Sequence, residues 1–135
     1  PLVAVAPSAA PLAPIDIADA DGVVVSLAEH NGTYAVAFKN VMDWASRAEG
    51  KLWQGKPLCL LATSPGGRGA QTVLEIALDR FPRMGAEVTS SFSLPRFREH
   101  FDEADGITSP ELARQLAEAM SAFQARLSDT RQSIA

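Results

Sequence analysis

Two continuous apolar runs, "GVVVSLA" at residues 22–28 and "KPLCLLATS" at 56–64, stand out from a chain of otherwise mixed polarity, and a shorter one, "LVAVA", occupies residues 2–6. Their apolar positions are consecutive rather than alternating. That is the pattern of strands covered on both faces in a parallel sheet. After each long run the apolar spacing changes to that of a helix. Thr33 is placed to cap the first helix, whose stripe of Val36, Val41, Trp44 and Ala45, with Ala37 nearby, runs to about Arg47. "QTVLEIALDRF" (71–81) carries Val73, Leu74, Ala77, Leu78 and Phe81 on one helical face. Gly85 ends that helix, and "MGAEVTSSFSL" (84–94) returns as a more polar strand suited to a sheet edge. The last helix opens with Ser109 as N-cap and Pro110 at the first helical position. It carries Leu112, Leu116, Met120, Phe123 and Leu127 down one side, with residues 128–135 as a frayed end. Residues 7–21 read as a connection and 97–106 as a charged loop.

Strands alternating with helices give an α/β chain: helices on the two faces of a central parallel sheet, in three layers. At 135 residues the chain is long enough for one domain with a core and short for two, so residues 1–135 read as a single domain. The net charge of −4, with Lys and Arg scattered, argues against a nucleic-acid surface and against a polybasic membrane anchor. No apolar run reaches the roughly 18–20 residues of a membrane helix, and the N-terminal stretch lacks the basic start of a secretion signal. The single cysteine, Cys59, lies inside an apolar strand, which makes it a small core residue and excludes a disulfide framework within the chain. A soluble cytoplasmic protein with no membrane partner is the expectation.

In an open sheet of this kind ligands bind beyond the carboxyl ends of the strands, where loops lead into helix N-termini. Two turns fall there. "SPGGRG" (64–69) has three glycines that let main-chain amides approach a ligand, and it opens a helix whose N-terminus favours anions. Such a turn is about as often plain turn geometry as a ligand cradle. It is neither G-x-G-x-x-G nor a triphosphate loop followed by G-K-[ST]. "EHNG" (29–32) is packed between a strand and a helix. Neither His30 nor His100 lies in a nucleophile motif, and no His/Cys spacing suits a metal, so hydrolytic and metal chemistry are not indicated.

Taken in order, "AEHNGTYAVAFKNVMDWASR", "GKPLCLLATSPGGRGAQTVLEIAL" and "RMGAEVTSSFSLPRFREHFDEADGITSPELARQL" resemble the NAD(P)H-dependent FMN reductase family over residues 20–127. The resemblance implies a flavodoxin-like three-layer α-β-α sandwich that binds FMN and takes electrons from NADPH or NADH. It further implies reduction of a flavin, a quinone or a similar small-molecule acceptor, and a homodimer or homotetramer. By the same resemblance Glu29, His30, Asn31, Gly32 and Thr33 run along the edge of the flavin ring, and Ser64, Pro65, Gly66, Gly67, Arg68 and Gly69 cover its other side. His30 stands where the family usually has Tyr, and Ala28 where it usually has Pro. The family's phosphate loop, typically "SGSLRxxSxN", has no counterpart after "LVAVAPS", where Ser8 alone is a candidate. Part of the first-helix and second-strand region is therefore missing from the expected fold. The alternative reading is a flavodoxin-like binding or assembly domain that has lost or weakened its cofactor binding.

Overall fold

The computed structural model describes residues 2–5, 17–48 and 51–134. Four strands form its parallel sheet: β1 (Leu2–Val5), β2 (Gly22–Leu27), β5 (Pro57–Thr63) and β6 (Glu87–Leu94), standing side by side in that order. Two short antiparallel pairs, β3 (Glu29–His30) with β4 (Thr33–Tyr34) and β7 (Phe101–Asp102) with β8 (Gly106–Ile107), lie outside it. The helices are α1 (Val36–Ala48), α2 (Gln71–Arg83), the single turn α3 (Phe97–His100) and α4 (Pro110–Ile134). Parallel register runs from Val3↔Val23 through Val25↔Leu60 to Leu60↔Ser91, with one irregularity in the last pair, where Leu58 faces Val88 but Cys59 faces Ser90. A flavodoxin-like sheet has the order 2-1-3-4-5. The four strands reproduce 1-3-4-5 of it, with no outer strand beyond β1 among the described residues.

Each face of the sheet has its own cover. Val23, Val25, Leu27, Leu58, Leu60 and Ala62 point to the side of α1 and α2, where they meet Met42, Val73, Leu74, Ala77 and Phe81 in the main core. On the other side Phe92 and Leu94 meet Ala119, with Leu61, Leu112 and Leu116 packed around them. Helix α4 approaches closely because Gly22 has no side chain. A Cβ there would stand 2.6 Å from Leu127 and 2.9 Å from Phe123. Cys59 is fully buried in β5 as expected. Burial pushes its thiol pKa up, and the neighbouring Ser90 hydroxyl pulls it down in smaller measure. The thiol is therefore a poor nucleophile at neutral pH.

The ends of the elements follow their local chemistry. Past α2, the Ala86 N–H reaches the Phe81 carbonyl (3.0 Å) and the Gly85 N–H the Pro82 carbonyl (3.1 Å), with Gly85 at φ +87°. This is a Schellman closure, as the glycine foretold. Ser109 Oγ accepts from the Leu112 N–H, capping α4.

Four expectations need correction. Thr33 does not cap α1: it belongs to β4, and the helix begins at Val36. The buried side of α1 is Phe38, Met42 and Ala45, while Val36 and Trp44 are 82% and 73% exposed. At about 100° per residue, Val36 lies some 160° round from Phe38, and Trp44 the same from Met42. Tyr34 and Ala35, buried just before the helix, fix that rotation. The end of the chain is not frayed at 128, because α4 continues to Ile134. Residues 97–106, expected as a loop, hold α3, β7 and the turn into β8.

Candidate functional site

The strand β2 ends at Leu27, and the chain then makes a two-residue hairpin in which Glu29 pairs with Tyr34 and His30 with Thr33. Asn31 and Gly32 are the connecting pair, at φ +52° and +79°. Two successive left-handed residues are what a type I′ turn demands, and Asn-Gly meets that demand at least cost. Turn geometry therefore explains two of the four residues of "EHNG". Beyond the turn, Tyr34 descends into the core, its ring stacked 6.2 Å from Phe81 and tilted against Phe38 at 5.4 Å. His30 and Asn31 remain exposed at the tip. Among the described residues, nothing hydrogen-bonds the Asn31 side-chain amide.

The glycine turn after β5 is tied internally and from β6. Ser64 Oγ accepts from the Ala70 N–H at 3.1 Å, and the Gly69 N–H donates to the Gly66 carbonyl at 3.2 Å. From the neighbouring strand end, the Arg96 N–H donates to the Gly66 carbonyl and the Phe97 N–H to the Ser64 carbonyl, both at 3.0 Å. Ser93 Oγ donates to the Gly69 carbonyl at 2.7 Å. Gly69 and Ala70 are both left-handed, at φ +59° and +61°. A Cβ on Gly69 would strike Ser93 Oγ and lie 2.8 Å from the Pro95 nitrogen, so only glycine fits. Gly66 and Gly67 are different. A Cβ there would find nothing nearer than 3.8 and 3.7 Å, and among the described residues the amides of Gly66, Gly67 and Arg68 donate to no protein acceptor.

The two turns meet through one contact. Helix α2 has no cap of its own: Ala70 stands at the N-cap without a side-chain bond, and the first turn holds no acid. Glu29 supplies what is missing. Its Oε2 accepts from the Val73 N–H at 2.9 Å, across 44 residues of sequence. A carboxylate at a helix N-terminus satisfies an orphan amide and the positive end of the dipole together.

Around this junction the charges are mixed. Arg68 folds back along α2, with Nη2 donating to Thr72 Oγ1 at 3.1 Å, and its head is exposed. Arg96, which sequence reasoning missed, brings its Nε to 3.7 Å from the Cβ position of Gly67. Two guanidiniums thus flank the glycine turn. Beside them a groove of about 690 Å³, lined by Gly67, Arg68, Gln71, Phe92, Pro95 and Gln115 among others, follows the outer edge of β6. A second groove of about 850 Å³ lies between α1 and α2, with Tyr34, Met42, Ile76 and Arg80 in its walls. The Tyr34 hydroxyl is buried there without a hydrogen-bond partner, and burial pushes its pKa up to about 12, with Arg80 pulling down and Asp79 pushing up. No group of three His, Cys, Asp or Glu side chains among the described residues is arranged to hold a metal. Ser8 lies outside the described residues.

A parallel sheet in the 1-3-4-5 order, with two turns at the carboxyl ends of adjacent strands, defines the class: a flavodoxin-like α/β protein. Residues 10–99 match the model of the NADPH-dependent FMN reductase family, and the chain belongs to that family. It is similar to a 2-hydroxy-1,4-benzoquinone reductase from a Burkholderia species, 38% identical over 79 residues, 50% of this chain and 43% of that protein. Among solved structures it is similar to FerB, a flavoenzyme NAD(P)H:(acceptor) oxidoreductase from Paracoccus denitrificans. That match has a TM-score of 0.67 at 27% identity, over 84% of this chain and 64% of that one. An oxidoreductase from Corynebacterium diphtheriae shares the fold at TM-score 0.62 and 22% identity, over 84% of this chain and 58% of that one. The chain thus spans between 43% and 64% of the length of these relatives.

Proposed function

We propose that this chain carries the flavin-ring site of an FMN-dependent NAD(P)H oxidoreductase, which passes electrons from NADPH or NADH to a quinone, a flavin or a similar small acceptor. The observation that carries the reading is the junction of the two turns, which follow adjacent strands, meet through Glu29 and Val73, and carry donors without protein acceptors among the described residues: the amides of Gly66, Gly67 and Arg68, and the Asn31 side chain. A flat ring edged with carbonyl and nitrogen acceptors fits such donors, and the space beside Gly66 and Gly67 is open to it. When bound, FMN would supply the hydride chemistry, so the protein needs no acid–base dyad. Asn31 and the glycine-turn amides would hold and orient the ring. Arg68 and Arg96 would give the turn a positive flank suited to an anionic electron donor. Ser8 would serve the phosphate end, and His30 and Thr33 the ring edge.

We place the protein in the cytoplasm as a homodimer or homotetramer. The outward side of α1 supports the second part. Val36 and Trp44 are exposed there, and the neighbouring Lys39 is already paired with Asp43 of the same helix, so a second copy finds an apolar surface edged by an internally neutralised ion pair. A competing reading, a flavodoxin-like binding or assembly domain without cofactor, is favoured by one observation: the sequence after β1 offers a single hydroxyl, Ser8, in place of the family's phosphate loop. Gel filtration of the purified intact protein with FMN, followed by NADPH under anaerobic conditions, separates the two. Flavin absorbance that co-elutes with the protein and bleaches on NADPH addition is the expected result. Protein eluting free of flavin at excess FMN would establish the assembly reading.

A further inference from the structure

Glu29 is the one acidic residue of the two turns, and a carboxylate directly against a flavin ring would oppose the negative charge that reduction places there. Its side chain is directed elsewhere, to the Val73 amide. The hairpin that carries it is only two residues per strand and does not join the main sheet. Such a hairpin is marginal by itself. Both of its anchors lie at the base, away from the Asn31–Gly32 tip: Tyr34 is buried in the core, and its cross-strand partner Glu29 ties the first strand to the start of α2. The glycine turn, meanwhile, is fixed by the bonds from Ser93 in β6 and from Arg96 and Phe97 just beyond its end.

We infer that Glu29 is a positioning residue: it acts through Val73, clasping the hairpin to α2 and setting the gap between the Asn31 tip and the glycine turn. The inference rests on the flavin reading for the gap's occupant. Its charge is absorbed by the N-terminus of α2, which leaves the ring's edge to neutral donors. This role needs a carbonyl-type oxygen at the reach of a Glu side chain. Glu29→Gln keeps both oxygen and reach, Glu29→Asp keeps the charge but falls one methylene short, and Glu29→Ala loses everything.

The test combines hydrogen exchange at the Val73 amide with FMN affinity, measured on the intact protein and these three variants, with circular dichroism as the fold control. Glu29→Asp and Glu29→Ala are expected to exchange Val73 about tenfold faster and to bind FMN about tenfold more weakly, while Glu29→Gln stays within about threefold of the parent in both. An Asp variant that binds like the parent, or a Gln variant as weak as Ala, would mean that the charge itself meets the ligand and would overturn the inference. Val73 exchange unchanged in Glu29→Asp would overturn it equally, and that readout stands even if Glu29→Ala does not fold. If the parent retains no FMN the flavin reading falls, and Val73 exchange alone then decides whether the clasp exists.

Discussion

Substituting Gly69 by Ala should unfold the protein more than any other single-methyl change in the glycine turn. At φ +59° an L-residue is strained by about 1–2 kcal/mol. The new methyl group would also meet Ser93 Oγ, the Pro95 nitrogen at 2.8 Å and the Leu94 carbonyl carbon at 3.0 Å. Two of these are backbone atoms and cannot swing away, and overpacking of that kind costs about 1–3 kcal/mol. The lower entropy of an unfolded alanine offsets about 0.4–1 kcal/mol. A net loss of about 1–5 kcal/mol follows, with the Ser93 bond to the Gly69 carbonyl broken. Gly67→Ala is the control. Its nearest neighbour would be Arg96 Nε at 3.7 Å, so stability should stay within about 0.5 kcal/mol while FMN affinity falls, because the methyl enters the space left for the ligand. Urea denaturation measures both variants. A midpoint for Gly69→Ala equal to that of the parent, with the same m-value, would refute the argument from the turn's contacts.

Phe81→Ala removes a fully buried ring packed 4.8 Å from Trp53 and 6.2 Å from both Tyr34 and Phe38, and should cost about 3–5 kcal/mol in the same assay. Tyr34, the sole tyrosine of this chain, should show phenolate absorbance with a midpoint near 12. Its folded pKa is raised, so the contribution is complete below pH 10 and is lost as pH climbs from about 10 to 12, by on the order of 2–3 kcal/mol. A midpoint at about 10 would contradict the burial of its hydroxyl. Trp44→Ser should leave the thermal midpoint of a monomer within a degree or two, but lower the sedimentation coefficient if α1 carries the contact between copies.

Much of the fold was legible because its strands are long and buried on both faces. "GVVVSLA" and "PLCLLAT" could sit only in a covered parallel sheet, and the serines of "EVTSSFSL" marked the edge strand. The rotation of α1 was not legible from periodicity, because Val36 and Trp44 are as apolar as Phe38 and Met42. Only the burial of Tyr34 and Ala35 decides between the two faces. The hairpin has a local signal in Asn-Gly, but a bare strand-to-helix turn would use the same pair, and flanking strands of two residues are too short to show as a pattern. The site was legible as two turns, but their junction was not. Nothing local indicates that Glu29 caps a helix 44 residues later, and Arg96 reaches the glycine turn only because β6 lies beside β5.

The central claim, that the two turns hold one flat ligand, is tested most directly by amide chemical-shift mapping of the intact protein during titration with FMN. The account requires the largest changes at Asn31, Gly66, Gly67 and Arg68, with Val73 moving little because its partner is already in place. Shifts confined to the groove between α1 and α2, or absent from the glycine turn at saturating FMN, would contradict it.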